Sequence, residues 1–214
     1  MIKPDGYMNI GKIIDMIYNK GKFTISKLKL CKFTKDNAAE FYAEHYGKPF
    51  YDFLINYVTS DYVVGMELVK KDAIKEWRNF IGPTNVVKAQ QEAPNSIRAL
   101  FGTKEKNTVH GSDCQESVNR EINIVFKKIK HKPTLTNCAC LLIKPHAIAE
   151  GNAGKIIDMA ENAGYPDSIA DAVTALYSSG EITGIGKISE TDRTSKEYRL
   201  SLDAVDAALG GNRI

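Results

Sequence analysis

His110-Gly111-Ser112-Asp113 is the tetrapeptide with the most chemistry in this chain of 214 residues. A histidine at the end of a short extended stretch, followed by glycine and a capped helix, is held rigidly with its ring toward a cleft. Alone it would read as a structural turn histidine, but it has company. Glu121 falls on the following helix, where it faces back and orients the imidazole as a nucleophilic histidine requires. Arg78 and Arg98 flank a segment holding Thr84-Asn85, Asn107 lies three residues before the histidine, and Lys3 ends the first extended stretch. Three cations with hydroxyl and amide donors around a nucleophile make a constellation for handling phosphate. Residues 1–130 hold eighteen lysines but only three arginines, Arg78, Arg98 and Arg120. Where lysine supplies the surface charge, a rare arginine is kept for its planar, bidentate donors.

The elements that position these residues follow from periodicity. Met1–Lys3 is a strand stub, and Gly11–Asn19 is a helix closed by Gly21. Phe23–Phe33 carries Phe23, Ile25, Leu28 and Leu30 between lysines, a half-exposed strand. Lys35–Tyr46 and Pro49–Thr59 read as helices, Tyr62–Leu68 as a strand and Asp72–Ile81 as a helix. Pro83–Asn95 reads as a long loop, and Thr108–Gly111 as a short strand. Ser112 or Asp113 is expected to cap a last helix to about Phe126. The order argues for an α+β sandwich, helices on an antiparallel sheet of ferredoxin-like βαββαβ type.

Composition excludes several classes. Apolar residues are 43% and charged residues 26%, values of a soluble globular chain and not a disordered one. No apolar run reaches the roughly 18 residues of a membrane span, and no signal-like segment opens the chain. A net charge of +3 gives no argument for nucleic acid, and the lysines of Phe23–Lys35 alternate with core residues without an aromatic platform. Cys31, Cys114, Cys138 and Cys140 are too few and scattered for a disulfide framework, which fits a reduced, cytosolic-type compartment. Cys138-x-Cys140, near His131 and His146, fits no standard zinc-finger spacing, and Cys-Ala-Cys-Leu-Leu-Ile reads as a buried strand. No protein-held metal is expected.

An internal repeat is the clearest organisational signal. Ile2-Lys3-Pro4 and Gly11-Lys12-Ile13-Ile14-Asp15-Met16 recur as Ile143-Lys144-Pro145 and Gly154-Lys155-Ile156-Ile157-Asp158-Met159. A recurrence at about 140 residues is domain-sized and implies a tandem duplication. The expected organisation is a first domain over 1–130, a linker and the start of a truncated second unit over 131–165, and an unassigned tail over 166–214. Lys127–Lys132 is a basic run before the linker, expected to be solvated. The tail suggests a helix, a hairpin and a short helix, loosely like a winged helix.

Five motifs, Ile-Lys-Pro-Asp at 2–5, Lys-Pro-Phe at 48–50, Gly-Pro-Thr-Asn at 82–85, Ser-Ile-Arg at 96–98 and Asn-Thr-Val-His-Gly-Ser-Asp at 107–113, carry a resemblance. Residues 1–127 resemble the nucleoside diphosphate kinases. The second Ile-Lys-Pro-His copy resembles the opening of the second unit in the two-domain ciliary branch of that family. The resemblance implies that His110 is a phosphohistidine nucleophile held by Ser112 and Glu121. Lys3, Tyr42, Arg78, Thr84, Arg98 and Asn107 match positions that hold phosphates and ribose, and Phe50 and Leu54 match those against which the base stacks. It implies ping-pong transfer of the γ-phosphoryl from Mg-ATP to a nucleoside diphosphate, with Mg2+ carried by the nucleotide phosphates. Arg120 matches no such position and is expected at the surface.

The resemblance also implies a longer first strand than Met1–Lys3, which would leave the sheet weakened here. Residues 83–95 are longer than in short single-domain enzymes, so homo-oligomers are implied without specifying hexamers. The second unit has no counterpart of His110-Gly-Ser-Asp, and His146 replaces the Asp5 of the first copy, so no second nucleotide site is expected. The ciliary branch implies a competing class of function: a structural protein with tubulin or axonemal partners, in the cilium, flagellum or centrosome, keeping the kinase fold. A scaffold released from catalysis would be expected to lose His110 or an arginine, and neither is lost.

Overall fold

The computed structural model describes residues 1–130 and 141–163. Two long strands, β1 (Thr24–Lys32) and β2 (Tyr62–Val69), pair antiparallel from Thr24↔Val69 to Lys32↔Tyr62. Ile2 then forms single antiparallel bridges to Val64 of β2 on one side and to Val109 on the other. The sheet order is therefore Val109, Ile2, β2, β1, all antiparallel, and the fold is α+β of ferredoxin-like type. The short first stretch is paired on both sides, with Ile2 fully buried between its neighbours. In β1 the core residues change parity between Ile25 and Leu28, which a regular two-residue period forbids. A register shift between Ile25 and Lys27 supplies the extra residue.

Each face of the sheet carries its own core. On one face Ile2, Ile13, Ile17, Ile25, Leu30, Trp77 and Ile97 pack together. On the other Cys31, Phe33, Phe41, Tyr42, Val58, Val63, Ile124 and Val125 do so. α1 (Ile10–Asp15) follows a 3-10 turn at Pro4–Asn9 and continues as a wide π turn at Met16–Lys20, ending at Gly21 as expected. α2 (Lys35–Phe41) starts where Thr34 accepts from the Asn37 amide at 3.2 Å. A 3-10 turn at Ala43–His45 and α3 (Tyr51–Val58) complete that layer, and α4 (Ala73–Ile81) lies on the opposite face.

Three sequence expectations are corrected. Residues 83–95 are not a loop: they contain α5 (Val86–Glu92), whose Asn85 accepts from the Lys88 amide at 2.9 Å and whose Val86 and Ala89 are buried three apart. A further short helix, α6 (Ile97–Phe101), begins at Ser96. The last helix of this unit, α7 (Gln115–Asn123), is capped by the Cys114 sulfur and not by Ser112 or Asp113, and runs into a π turn at Ile124–Lys128. Thr108–Gly111 is not a strand. Only Val109 is bridged, because Thr108 stands at φ +60, where a β-branched residue breaks extension.

The second repeat forms α8 (Pro145–Ala149) and α9 (Ala153–Asn162), and α9 lies directly against α1. Ile143, Ile148, Ala153 and Ile157 enter the same core as Ile13 and Ile17. The linker at 131–140, with Cys138 and Cys140, and the tail at 166–214 lie outside the described residues. Among the described residues no helix is long and apolar enough to cross a membrane.

Candidate active site

Val109 sets the position of His110. The backbone carries the histidine amide onto the Met1 carbonyl at 2.9 Å, while Trp77 Nε1 donates to the His110 carbonyl at 3.2 Å. His110 Nε2 meets Glu121 Oε2 at 2.9 Å, and Ser112 Oγ donates to the same oxygen at 2.6 Å. A carboxylate accepting at Nε2 fixes the proton there and leaves the lone pair on Nδ1. Nδ1 has no hydrogen bond among the described residues. The ring edge packs at 5.0 Å from Phe41 and 5.6 Å from Tyr42, measured between ring centroids. Burial pulls the His110 pKa below its ordinary value, with Glu121 opposing, so the neutral imidazole persists to lower pH. Burial pushes the Glu121 carboxyl up, but the His110 and Ser112 hydrogen bonds and the His110 charge outweigh it and hold it ionised.

The cations converge beside this ring. Lys3 is buried and its Nζ donates to Asn107 Oδ1 at 2.6 Å. Arg98, also buried, donates to the Gly82 carbonyl at 2.8 Å, to Thr84 Oγ1 at 3.3 Å and to the Val109 carbonyl at 3.1 Å. Asn107 Nδ2 in turn donates to the Thr84 carbonyl at 3.0 Å. Arg78 is exposed and approaches the Gly111 carbonyl at 3.5 Å. Burial, then the Arg98 charge, lowers the Lys3 pKa to about 8. Burial, then Arg78, lowers that of Arg98 to about 10. Asp5 offsets part of the Lys3 charge, and the remaining positive charge held out of water favours an anion. Tyr42 is fully buried, and its hydroxyl has no partner among the described residues; burial raises its pKa. A buried hydroxyl without a partner beside the His110 ring is a donor that an incoming acceptor oxygen would satisfy.

Phe50 is half exposed just before α3, and Leu54, one turn later, packs against the core cluster that holds Phe41 and Tyr42. Phe50 is backed by His45 at 5.5 Å. Arg120 does not join the site: it pairs with Glu44, tying α7 to the turn at Ala43–His45. A cavity of 230 Å³ lies on the other side of His110, between β2, α4 and α7, lined by Met66, Trp77, Val118 and Phe126 together with His110 and Glu121. Neither Lys3, Arg78 nor Arg98 lines it.

A family model described as nucleoside diphosphate kinase matches residues 1–131. The chain belongs to the nucleoside diphosphate kinase family. It is 45% identical over 163 residues to nucleoside diphosphate kinase homolog 7 of Rattus norvegicus, covering 73% of this chain but 41% of that protein. It thus spans about two fifths of that relative. The nucleoside diphosphate kinase of Aquifex aeolicus is 43% identical over 133 residues, covering 61% of this chain and 93% of that one. Its crystal structure superposes with a TM-score of 0.57 over 59% of this chain and 91% of that chain. A Halobacterium salinarum nucleoside diphosphate kinase in complex with CDP, 33% identical, superposes at 0.52 over 59% of this chain and 84% of its own.

Within the kinase unit, sequence reasoning passed over one residue that the geometry makes central. Asp5 Oδ2 accepts from both the amide and the hydroxyl of Thr108 at 3.0 Å, and Tyr57 donates to its other oxygen. Asp5 therefore pins the left-handed residue that turns the chain between Asn107 and His110. The signal was present, since Asp5 and His146 are where the two Lys-Pro motifs diverge. Gly82 was also passed over as an individual. At φ +82 its carbonyl meets Arg98, and a Cβ there would stand 2.3 Å from Ser96 Oγ.

Proposed function

We propose that the chain transfers the γ-phosphoryl group of a nucleoside triphosphate to a nucleoside diphosphate through a phosphohistidine at His110. The observation that carries this is the His110 ring, pinned at Nε2 by Glu121 and free at Nδ1 beside Lys3, Arg98 and the unpartnered Tyr42 hydroxyl. The Nδ1 lone pair attacks the γ-phosphorus, an N–P bond forms, and the bond to the β,γ-bridging oxygen breaks with its electrons leaving on the diphosphate. Positive charge on the imidazolium is stabilised by Glu121. Lys3, Arg78 and Arg98 stabilise the oxygens of the transferring group, with Thr84, Asn107 and Tyr42 as hydroxyl and amide donors. A diphosphate oxygen then attacks the phosphorus and returns the pair to Nδ1.

Phe50 and Leu54 offer the base an apolar stacking face, and stacking on a ring supports tolerance of any base because every base has a π face. Mg2+ carried by the nucleotide phosphates would supply charge neutralisation on them, beside Lys3, Arg78 and Arg98. The CDP bound to the halophilic relative fits the same class of ligand.

The test is incubation with γ-labelled ATP. Acid-labile label on the wild-type chain, passed to added GDP and absent from a folded His110→Ala variant, is expected. Turnover of His110→Ala near the wild-type level would end the covalent route.

A further inference from the structure

The contact between α1 and α9 is a contact between two copies of one sequence, and it is reciprocal. A Cβ on Gly11 would stand 2.2 Å from the Asp158 amide nitrogen and 2.7 Å from the Gly154 carbonyl. A Cβ on Gly154 would stand 2.3 Å from the Asp15 amide nitrogen and 2.7 Å from the Gly11 carbonyl. Gly11 corresponds to Gly154 and Asp15 to Asp158 in the repeat, so residue i meets j while the equivalent of j meets the equivalent of i. That reciprocity is the mark of an isologous, two-fold interface. Beside the glycines, Ile13, Ile14 and Ile157 lie in one core, and Lys12 pairs with Asp158 at 3.8 Å.

We infer that residues 141–163 occupy the surface on which a second copy of this chain would place its own α1, so that the second repeat caps the kinase unit in cis and suppresses homodimerisation through α1. The partner the surface fits is a second Gly-Lys-Ile-Ile-Asp helix, because that helix is what is seated there. Tethering favours the internal copy, since an attached helix competes at an effective concentration of order millimolar. One departure from symmetry favours it further. Glu161 accepts from the Ile10 amide at 3.2 Å and the Gly11 amide at 3.0 Å. The corresponding residue of α1 is Tyr18, which has no carboxylate to offer those orphan amides. Asn19, donating to the Gly151 carbonyl at 2.9 Å, closes the far end. The inference stands apart from the phosphotransfer reading, because none of these residues lines the His110 cleft.

The experiment is sedimentation velocity on full chains across the micromolar range, with amide exchange followed over 10–19 and 153–162. The wild type is expected to sediment as a monomer with both segments protected. Gly154→Leu cannot seat α9 but leaves α1 intact; its mass is expected to double, with protection lost over 153–162 and kept over 10–19. Gly11→Leu combined with Gly154→Leu removes the close approach in trans as well and is expected to return the mass to that of a monomer. Should Gly154→Leu yield no folded product, Glu161→Arg, which sets a cation against the Ile10 and Gly11 amides, is expected to give the same doubling. Three results would overturn the inference. One is an undocked α9 in a chain that stays monomeric. A second is a doubled mass that survives Gly11→Leu, and the third is full protection of α9 in Gly154→Leu.

Discussion

The two Lys-Pro repeats start from nearly the same residues and reach different ends. In the first, Lys3 is buried against Asn107 and Asp5 braces Thr108, so the motif feeds the His110 cleft. In the second, Lys144 and His146 are exposed, and the repeat contributes Ile148, Gly154 and Ile157 to packing. The shared Gly-Lys-Ile-Ile-Asp stretch makes a helix with a close-packing glycine in both places. What differs is the residue after the proline and what the chain lays beside it. Helix and interface thus travel with the shared core of the motif, whereas the backbone turn that leads into His110 rests on Asp5 and on Thr108 about a hundred residues away.

Replacing Asp5 by His, so that the first copy reads like the second, attacks that distinction directly. Thr108 would lose two bonds to a carboxylate, each worth about 1.5–3 kcal/mol, while still standing at φ +60. Urea titration is expected to show a loss of about 3 kcal/mol. Turnover in an ATP–GDP exchange assay is expected to fall by roughly a hundredfold or more, since a misplaced nucleophile of this kind costs at least that. Turnover close to wild type would mean that Asp5 does not separate the two copies.

The arginines give the next largest effect. Arg98→Ala is expected to cut kcat by roughly a hundredfold, the scale of removing one preorganised donor. Arg78→Ala, exposed and tied to Gly111 by one long contact, should cost less in stability while still lowering kcat/KM. Arg120→Ala removes the bond to Glu44 and a long contact to Ser117 Oγ, neither of them at the His110 ring, and is expected to change kcat by less than about twofold. Equal losses at Arg98 and Arg120 would place the cationic site elsewhere.

The pH dependence follows from the two shifted groups. His110 is a base held below its ordinary value, so as pH falls the unfolded chain takes up its proton first. Its contribution to stability is present above the unfolded value of about 6.5 and is lost as pH falls through the lower folded one. The acid limb of kcat/KM should accordingly lie below about pH 6.5. Lys3, lowered to about 8, should give an alkaline limb near that value as its charge is lost. Lys3→Met is expected to weaken nucleotide binding at pH 7 and to abolish that limb. A limb that persists in Lys3→Met belongs to another group.

Much of this geometry was legible in residue types. His110 with Glu121, and Arg98 with Thr84 and Asn107, could be grouped because each is a scarce or chemically specific residue in a lysine-rich chain. The strands were legible because Phe23, Ile25, Leu28 and Leu30 alternate with lysine. The helix at 86–92 was hidden by Pro83, Pro94 and the polar run Lys88–Glu92, which outweigh two buried residues in any composition count. The divergence of Asp5 from His146 marks the position but not its role: its partner Thr108 is 103 residues distant, and a left-handed threonine leaves no local mark. The repeat by itself implies duplication; that its two helices touch, α9 against α1, is visible only in the structure.

The smallest expected effect is the reverse exchange. His146→Asp restores the first copy's residue to the second, yet the sequence holds no second His-Gly-Ser-Asp for a carboxylate there to serve. His146 is exposed, and its backbone already turns correctly into α8, with the Ala147 amide on the Lys144 carbonyl at 3.0 Å. An aspartate in the first turn of α8 would gain only a favourable position near a helix N-terminus, about 0.3–1 kcal/mol. The variant is expected to bind no second nucleotide in a calorimetric titration and to leave turnover at the wild-type level. A second binding event would show that one carboxylate is enough to turn the repeat into a site, and would remove the difference between the two copies that Asp5→His is designed to reveal.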